Sequence, residues 1–172
     1  NSDVSVIGGT FTLSSGDDGF HADETLKIDG AEIAIDTCYE GLEGHFVEIA
    51  DGNITINSTD DGINSAGGND QSGFGGPIGK DNFTETEDTP KITISGGTIS
   101  ENKAFRGGGG VCLREGSAVK QTGGSIENNV AKVGGGIYSG TYTMTGGVIK
   151  DNNNSLTEEA RLSTVGDGVF VG

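Results

Sequence analysis

The feature that most constrains this chain is a short motif that recurs about every 22 residues. Gly19, Gly41 and Gly62 are spaced by 22 and 21 residues, and each directly follows an acidic residue. A repeat of this length is too short to fold alone, so it predicts a solenoid in which each coil packs on the next. The three motifs are Ser15-Gly-Asp-Asp-Gly-Phe20, Thr37-Cys-Tyr-Glu-Gly-Leu42 and Ser58-Thr-Asp-Asp-Gly-Ile63.

A second landmark, a small pair followed by alternating apolar residues, occurs six times. Alternation with a period of two predicts half-buried strands. With three short strands in each repeat, the sequence predicts an all-β, three-sided parallel β-helix of about six coils (rungs), with glycines supplying positive φ at the corners. The expected inward column is Phe11, Ile33, Ile54, Ile99, Ile126 and Ile149.

The organisation along the chain indicates one domain, residues 1–172, with three parts. Acidic rungs span 1–66, a Gly-rich loop inserted at 67–90 interrupts the repeat, and Gly/Asn-rich rungs span 91–172. Residues 1–90 hold 19 acids and 2 bases, whereas residues 91–172 hold 7 acids and 8 bases. Such an acidic half repels nucleic acid and anionic membranes, and no apolar run is long enough to insert in a membrane.

Acidic side chains recur in register at one corner of the predicted helix. At a spacing of about 4.8 Å and an effective dielectric of about 20, each adjacent pair of carboxylates costs roughly 3 kcal/mol. Many oxygen ligands suit Ca²⁺, which takes six to eight of them. The expected calcium ligands are Asp17, Asp18, Glu40, Glu43, Asp60, Asp61 and Asn64.

One other interpretation of this corner remains open. Asp-Gly is common in turns, so the repeated acids could serve the backbone alone. Zinc is not favoured, because His21 and His45 fall in different rungs and no Cys-His cluster has ligand spacing. The two cysteines, Cys38 and Cys112, are expected to be free, since two rungs already exceed disulfide reach.

Further candidates for ligand contacts surround the acidic corner. Tyr39 in the acidic column and Phe74 on the inserted loop could stack on a sugar ring. No nucleophile elbow, phosphate loop or metalloprotease motif is present, so no catalytic residue is assigned. The full set of candidate ligand-binding residues is Tyr39, His21, Asp70, Phe74 and Lys80.

The segments Gly8–Asp23, Tyr39–Gly44 and Asp60–Asp70 together resemble bacterial cell-surface carbohydrate-binding β-helix proteins, which are pectate-lyase-like in fold. The resemblance covers roughly residues 5–97. It implies a right-handed parallel β-helix, bound calcium, secretion or surface display, and affinity for cellulose or polygalacturonate. Beyond it, Gly96–Tyr138 resembles repeats of bacterial β-helix adhesins, in which glycine replaces the acid.

The sequence therefore predicts calcium-dependent binding of a plant cell-wall polysaccharide at a bacterial surface. One alternative is a structural adhesin spacer, in which calcium only stiffens the rungs. A further alternative is a uronate lyase, which needs a basic residue beside the cation; the acidic half offers only Lys27 and Lys80 for that role.

Overall fold

The fold is known from a computed structural model, which describes residues 2–65, 91–105, 108–113, 117–154 and 168–171. All regular structure within these residues is β-strand. The strands in chain order are β1 (Val4–Ile7), β2 (Thr10–Ser14), β3 (Phe20–Cys38), β4 (Leu42–Ser58), β5 (Ile63–Asn64), β6 (Lys91–Ile94), β7 (Thr98–Ser100), β8 (Val111–Cys112), β9 (Ala118–Gln121), β10 (Ser125–Glu127), β11 (Ile137–Ser139), β12 (Thr141–Met144), β13 (Val148–Lys150) and β14 (Val169–Val171).

The strands stack in parallel in three columns, which confirms the predicted parallel β-helix. Column A holds β1, the middle of β3 and β4, then β6, β9 and β12. Column B holds β2, the ends of β3 and β4, then β7, β10 and β13. Column C holds the starts of β3 and β4, then β5, β8, β11 and β14. Each column thus has six segments among the described residues.

Strands β3 and β4 run around the corners rather than ending at each side, which the sequence did not predict. The pairing of β3 with β4 shifts register between Ala22 and Thr25 and again around Asp29. A bulge of this kind bends a strand without ending its hydrogen bonding. The early rungs therefore have fewer, longer strands than three short ones apiece.

The core is the thin interior column that the alternation predicts. Ile33, Ile54 and Ile99 pair in register in column B and are almost fully buried. Phe11 and Ile149, at the two ends of this column, are only partly buried because each is covered from one side. Each rung buries its inward residues against its neighbours, so a chain with few large apolar residues still forms a core.

Glycines at the corners serve two purposes, of which the sequence predicted one. Gly30, Gly97 and Gly124 have the expected positive φ. Gly19 and Gly41, before the strands of column C, do not. A Cβ on Gly19 would lie 2.6 Å from the carbonyl oxygen of Gly41, and one on Gly41 would collide with the carbonyl oxygen of Gly62. Close stacking of the backbones, rather than φ, requires glycine at these acidic steps.

A ladder of buried asparagines joins the later rungs. Asn129 accepts hydrogen bonds at Oδ1 from the backbone N–H and Nδ2 of Asn102, at 3.0 and 2.7 Å. Its Nδ2 donates to Asn152 Oδ1 at 2.9 Å and to the carbonyl oxygen of Ile99 at 3.1 Å. The ladder therefore ties these coils to one another.

Several predictions fall on parts of the chain outside the described residues. Of the inserted loop at 67–90, which includes Asp70, Phe74 and Lys80, no residue is described. Cys38 and Cys112 are described; both are buried, and neither forms a disulfide bond. No described helix is long and apolar enough to span a membrane.

Candidate functional site

The acidic corner lies immediately before the strands of column C, and backbone hydrogen bonds fix its register. The N–H of Tyr39 donates to the carbonyl oxygen of Asp17 at 3.0 Å, and the N–H of Asp60 donates to that of Tyr39 at 3.0 Å. One position on, the N–H of Gly41 donates to the carbonyl oxygen of Asp61 at 3.2 Å. The backbones therefore stack as the repeat predicts, with Asp18, Glu40 and Asp61 at equivalent positions.

The side chains do not form one continuous ladder but divide into two groups. The first, here called the oxygen cluster, comprises Glu40, Asp60 and Asp61, whose ligand oxygens lie within 4.8 Å of one another. These three residues are only 2%, 4% and 3% exposed. Nδ2 of Asn64, which is also buried, donates to Oε2 of Glu40 at 3.1 Å. Three acids are thus gathered in a poorly hydrated place, where their mutual repulsion is weakly screened.

The second group, here called the histidine cluster, comprises Asp18, His21 and Glu43. Their ligand atoms also lie within 4.8 Å of one another. Nδ1 of His21 lies 2.6 Å from Oε2 of Glu43 and 3.2 Å from Oδ2 of Asp18. Glu43 is buried and His21 is 43% exposed, so the cluster reaches from the interior of the corner to solvent. Strand pairing places His21 beside Glu43 in column C.

Besides Asn64, which contacts the oxygen cluster through Glu40, two described residues predicted to bind a metal or ligand fall outside both clusters. Asp17 is exposed, and Tyr39 is half-buried in the same backbone stack. Tyr39 is thus the described aromatic residue on the acidic stack that could contact a ligand at the surface. Lys27 lies in column A, where its Nζ is 3.8 Å from Oδ2 of Asp29.

Cys38, at the end of β3, lies close enough to this corner for its carboxylates to affect the pKa of the thiol. Burial, together with the negative charges of Asp18 and Glu40, raises the pKa of its thiol to about 12. The thiol therefore stays protonated at neutral pH and is a poor metal ligand, since thiolate is the ligating form. The donor set of the corner consists of carboxylates, amides and one imidazole.

Sequence reasoning missed how His21 and Asp23 contribute to the corner. It treated His21 as a ligand contact and assigned Asp23 no role, yet Nε2 of His21 lies 3.7 Å from Oδ1 of Asp23. The signal was available in principle: in an extended strand, residues two apart lie on the same face, which puts His21 and Asp23 together.

Fold and site define the class: a parallel β-solenoid with a buried acidic corner in its first three rungs. Comparison with protein families matches residues 1–107 to the model of a carbohydrate-binding domain-containing protein. The match covers more than half of the 172 residues, and the chain belongs to that family. It therefore has a carbohydrate as its expected partner. No curated protein and no solved structure matches the chain.

Both clusters lie inside the matched segment. The oxygen cluster and the histidine cluster are built from residues 18–61, whereas the asparagine ladder extends beyond residue 107. The family assignment therefore falls on the acidic rungs, which also hold nearly all of the excess negative charge.

Proposed function

We propose that this chain binds a plant cell-wall polysaccharide, such as polygalacturonate or cellulose, in a calcium-dependent manner at a bacterial cell surface. Membership of the carbohydrate-binding family supports a carbohydrate as the ligand. The convergence of three buried carboxylates in the oxygen cluster supports the cation, and it is the observation that carries the proposal.

The oxygen cluster has the donor chemistry that Ca²⁺ prefers. Buried carboxylates are stable only when their charge is compensated. Glu40, Asp60 and Asp61 supply carboxylate oxygens alone, and Ca²⁺ accepts such ligands in flexible geometry, with backbone carbonyls and water filling the remaining positions. Asn64 supports the cluster through its hydrogen bond to Glu40.

The charge of the acidic rungs makes a bridging cation especially useful for a uronate ligand. Residues 1–90 carry 19 acids against 2 bases, so they repel a polyanion at long range. A calcium ion at the corner reverses the local sign and can take a sugar carboxylate as a further oxygen ligand. Tyr39, half-buried beside the cluster, then offers an aromatic surface to the ring.

Calcium titration by calorimetry, combined with glycan pull-down, tests the proposal. The wild-type chain is compared with Asp60→Asn/Asp61→Asn and with a control of equal charge change, Asp36→Asn/Glu48→Gln, at exposed positions outside the cluster. We expect the cluster variant to lose calcium binding and retention on polygalacturonate or cellulose, and the control to keep both.

The outcomes separate the proposal from its alternatives. Glycan retention that is the same in calcium and in chelator would contradict calcium dependence. Calcium binding that raises stability without retention on either glycan would favour the structural adhesin spacer, since the rungs beyond residue 96 resemble adhesin repeats. Release of an unsaturated uronide would be needed for the lyase, which also requires a basic residue beside the cation.

A further inference from the structure

The histidine cluster differs from the oxygen cluster in the atoms that it offers. It brings together one imidazole nitrogen and two carboxylates, from Asp18, His21 and Glu43, within 4.8 Å. Nδ1 of His21 faces oxygens of both Glu43 and Asp18, at 2.6 and 3.2 Å. That nitrogen therefore lies beside two carboxylates, and the three ligand atoms converge closely enough for one divalent ion to contact them all.

The donor set selects a different kind of ion from calcium. Ca²⁺ binds oxygen and seldom uses imidazole, whereas Zn²⁺ and its neighbours in the transition series bind imidazole nitrogen together with carboxylate. Histidine nitrogen and carboxylate oxygen are both ligands of zinc, and three protein ligands leave a further position for water.

His21 also faces a third carboxylate. Its other ring nitrogen, Nε2, lies 3.7 Å from Oδ1 of Asp23, a residue outside the cluster. This distance is too long for a hydrogen bond but allows an electrostatic contact, and a carboxylate near the second nitrogen of a metal-binding histidine orients the ring. Pairing of β3 with β4 fixes His21 opposite Glu43, so two ligands come from rigid neighbouring strands.

We propose that Asp18, His21 and Glu43 form a site for a divalent transition ion of the Zn²⁺ type, distinct from the oxygen cluster. Glu43 anchors the ion from the buried side, and the exposed edge of His21 leaves coordination positions open to solvent. Asp23 acts as a positioning residue for the ring. This inference stands whether or not the oxygen cluster binds calcium.

Titration of the chelator-treated full chain with Co²⁺ and Zn²⁺ tests the site. Co²⁺ provides visible absorption bands that report imidazole and carboxylate ligation, and calorimetry gives the Zn²⁺ affinity. We expect one ion per chain in the wild type and a loss of affinity of at least about 10-fold in His21→Gln. His45→Gln is the matched control, because the ring of His45 packs against Phe46 and lies outside both clusters.

Two further variants keep the test sharp. Asp23→Asn is expected to weaken Zn²⁺ binding less than His21→Gln while shifting the Co²⁺ bands, which a merely structural role would not do. Asp60→Asn/Asp61→Asn is expected to leave Zn²⁺ affinity unchanged. Equal Zn²⁺ affinity in the wild type and His21→Gln, with both folded by circular dichroism, would overturn the proposal. Loss of Zn²⁺ binding in His45→Gln would overturn it as well.

Discussion

Replacing Asn129 by alanine tests whether the asparagine ladder holds the later rungs together. The side chain is fully buried and makes four hydrogen bonds to three residues. Alanine removes all four and leaves two buried donors of Asn102, its backbone N–H and its Nδ2, without the acceptor that they share. The carbonyl oxygen of Ile99 also loses a donor.

The expected cost follows from those orphaned groups. A buried donor left unsatisfied costs about 1–3 kcal/mol, so two of them give about 4 kcal/mol in the free energy of unfolding. For a chain of this size each kilocalorie shifts the melting temperature by about 2–4 °C. We therefore expect Asn129→Ala to melt roughly 10 °C below the wild type.

Urea and thermal unfolding followed by far-ultraviolet circular dichroism measure this effect, since the chain has no tryptophan. The matched control is Asn53→Ala, which removes one exposed hydrogen bond, 2.7 Å long, from Asn53 Nδ2 to Glu32 Oε1. We expect that control to cost less than about 1 kcal/mol. Equal and small losses in the two variants would refute the reasoning, because burial would then make no difference.

Two further predictions concern the backbone and the thiols. Glu101 has a φ of 59°, and the equivalent residues Asn128 and Asp151 have φ values within a few degrees of it. Because asparagine tolerates this conformation better than glutamate, Glu101→Asn should raise the free energy of unfolding by about 0.5–1 kcal/mol. The control Glu48→Asn, on an extended strand, should not. The pKa of the Cys38 thiol is raised to about 12, chiefly by burial, and both cysteines are buried. A thiol reagent at pH 8 should therefore label neither cysteine in the native chain and both in denaturant. Rapid labelling of Cys38 in the native chain would contradict its burial.

The repeat made the fold predictable because equivalent positions in successive coils of a solenoid recur in the sequence at a nearly constant spacing. The column of Ile33, Ile54 and Ile99 could be read from spacing alone, and the strand pairs follow it. The continuity of β3 and β4 could not be read in this way, because bulges depend on how the backbone relaxes at each corner. The role of Gly41 could not be predicted either. Glycine is required both where two backbones approach closely and where φ is positive, so the residue type alone does not distinguish the two causes.

At the acidic corner, the repeat predicts the backbone register but not the contacts that the side chains make. Spacing placed Asp18, Glu40 and Asp61 at equivalent positions, and the backbone hydrogen bonds agree. It could not tell that His21, which occurs in the first rung alone, would attract Asp18 and Glu43. Glu43 and Asn64, its counterparts in the next two rungs, offer no imidazole, so Glu40 groups instead with Asp60 and Asp61.

This division has a consequence for how the corner handles its charge. A uniform column of acids would need one kind of cation throughout, because every rung would present the same ligands. A single histidine breaks that uniformity: its ring nitrogen joins two of the carboxylates in one cluster, and three others form a cluster of oxygen ligands alone. On the two proposals made above, exchanging the histidine for an acid would extend the oxygen-only chemistry to the first rung, so the corner would then offer one kind of cation site instead of two.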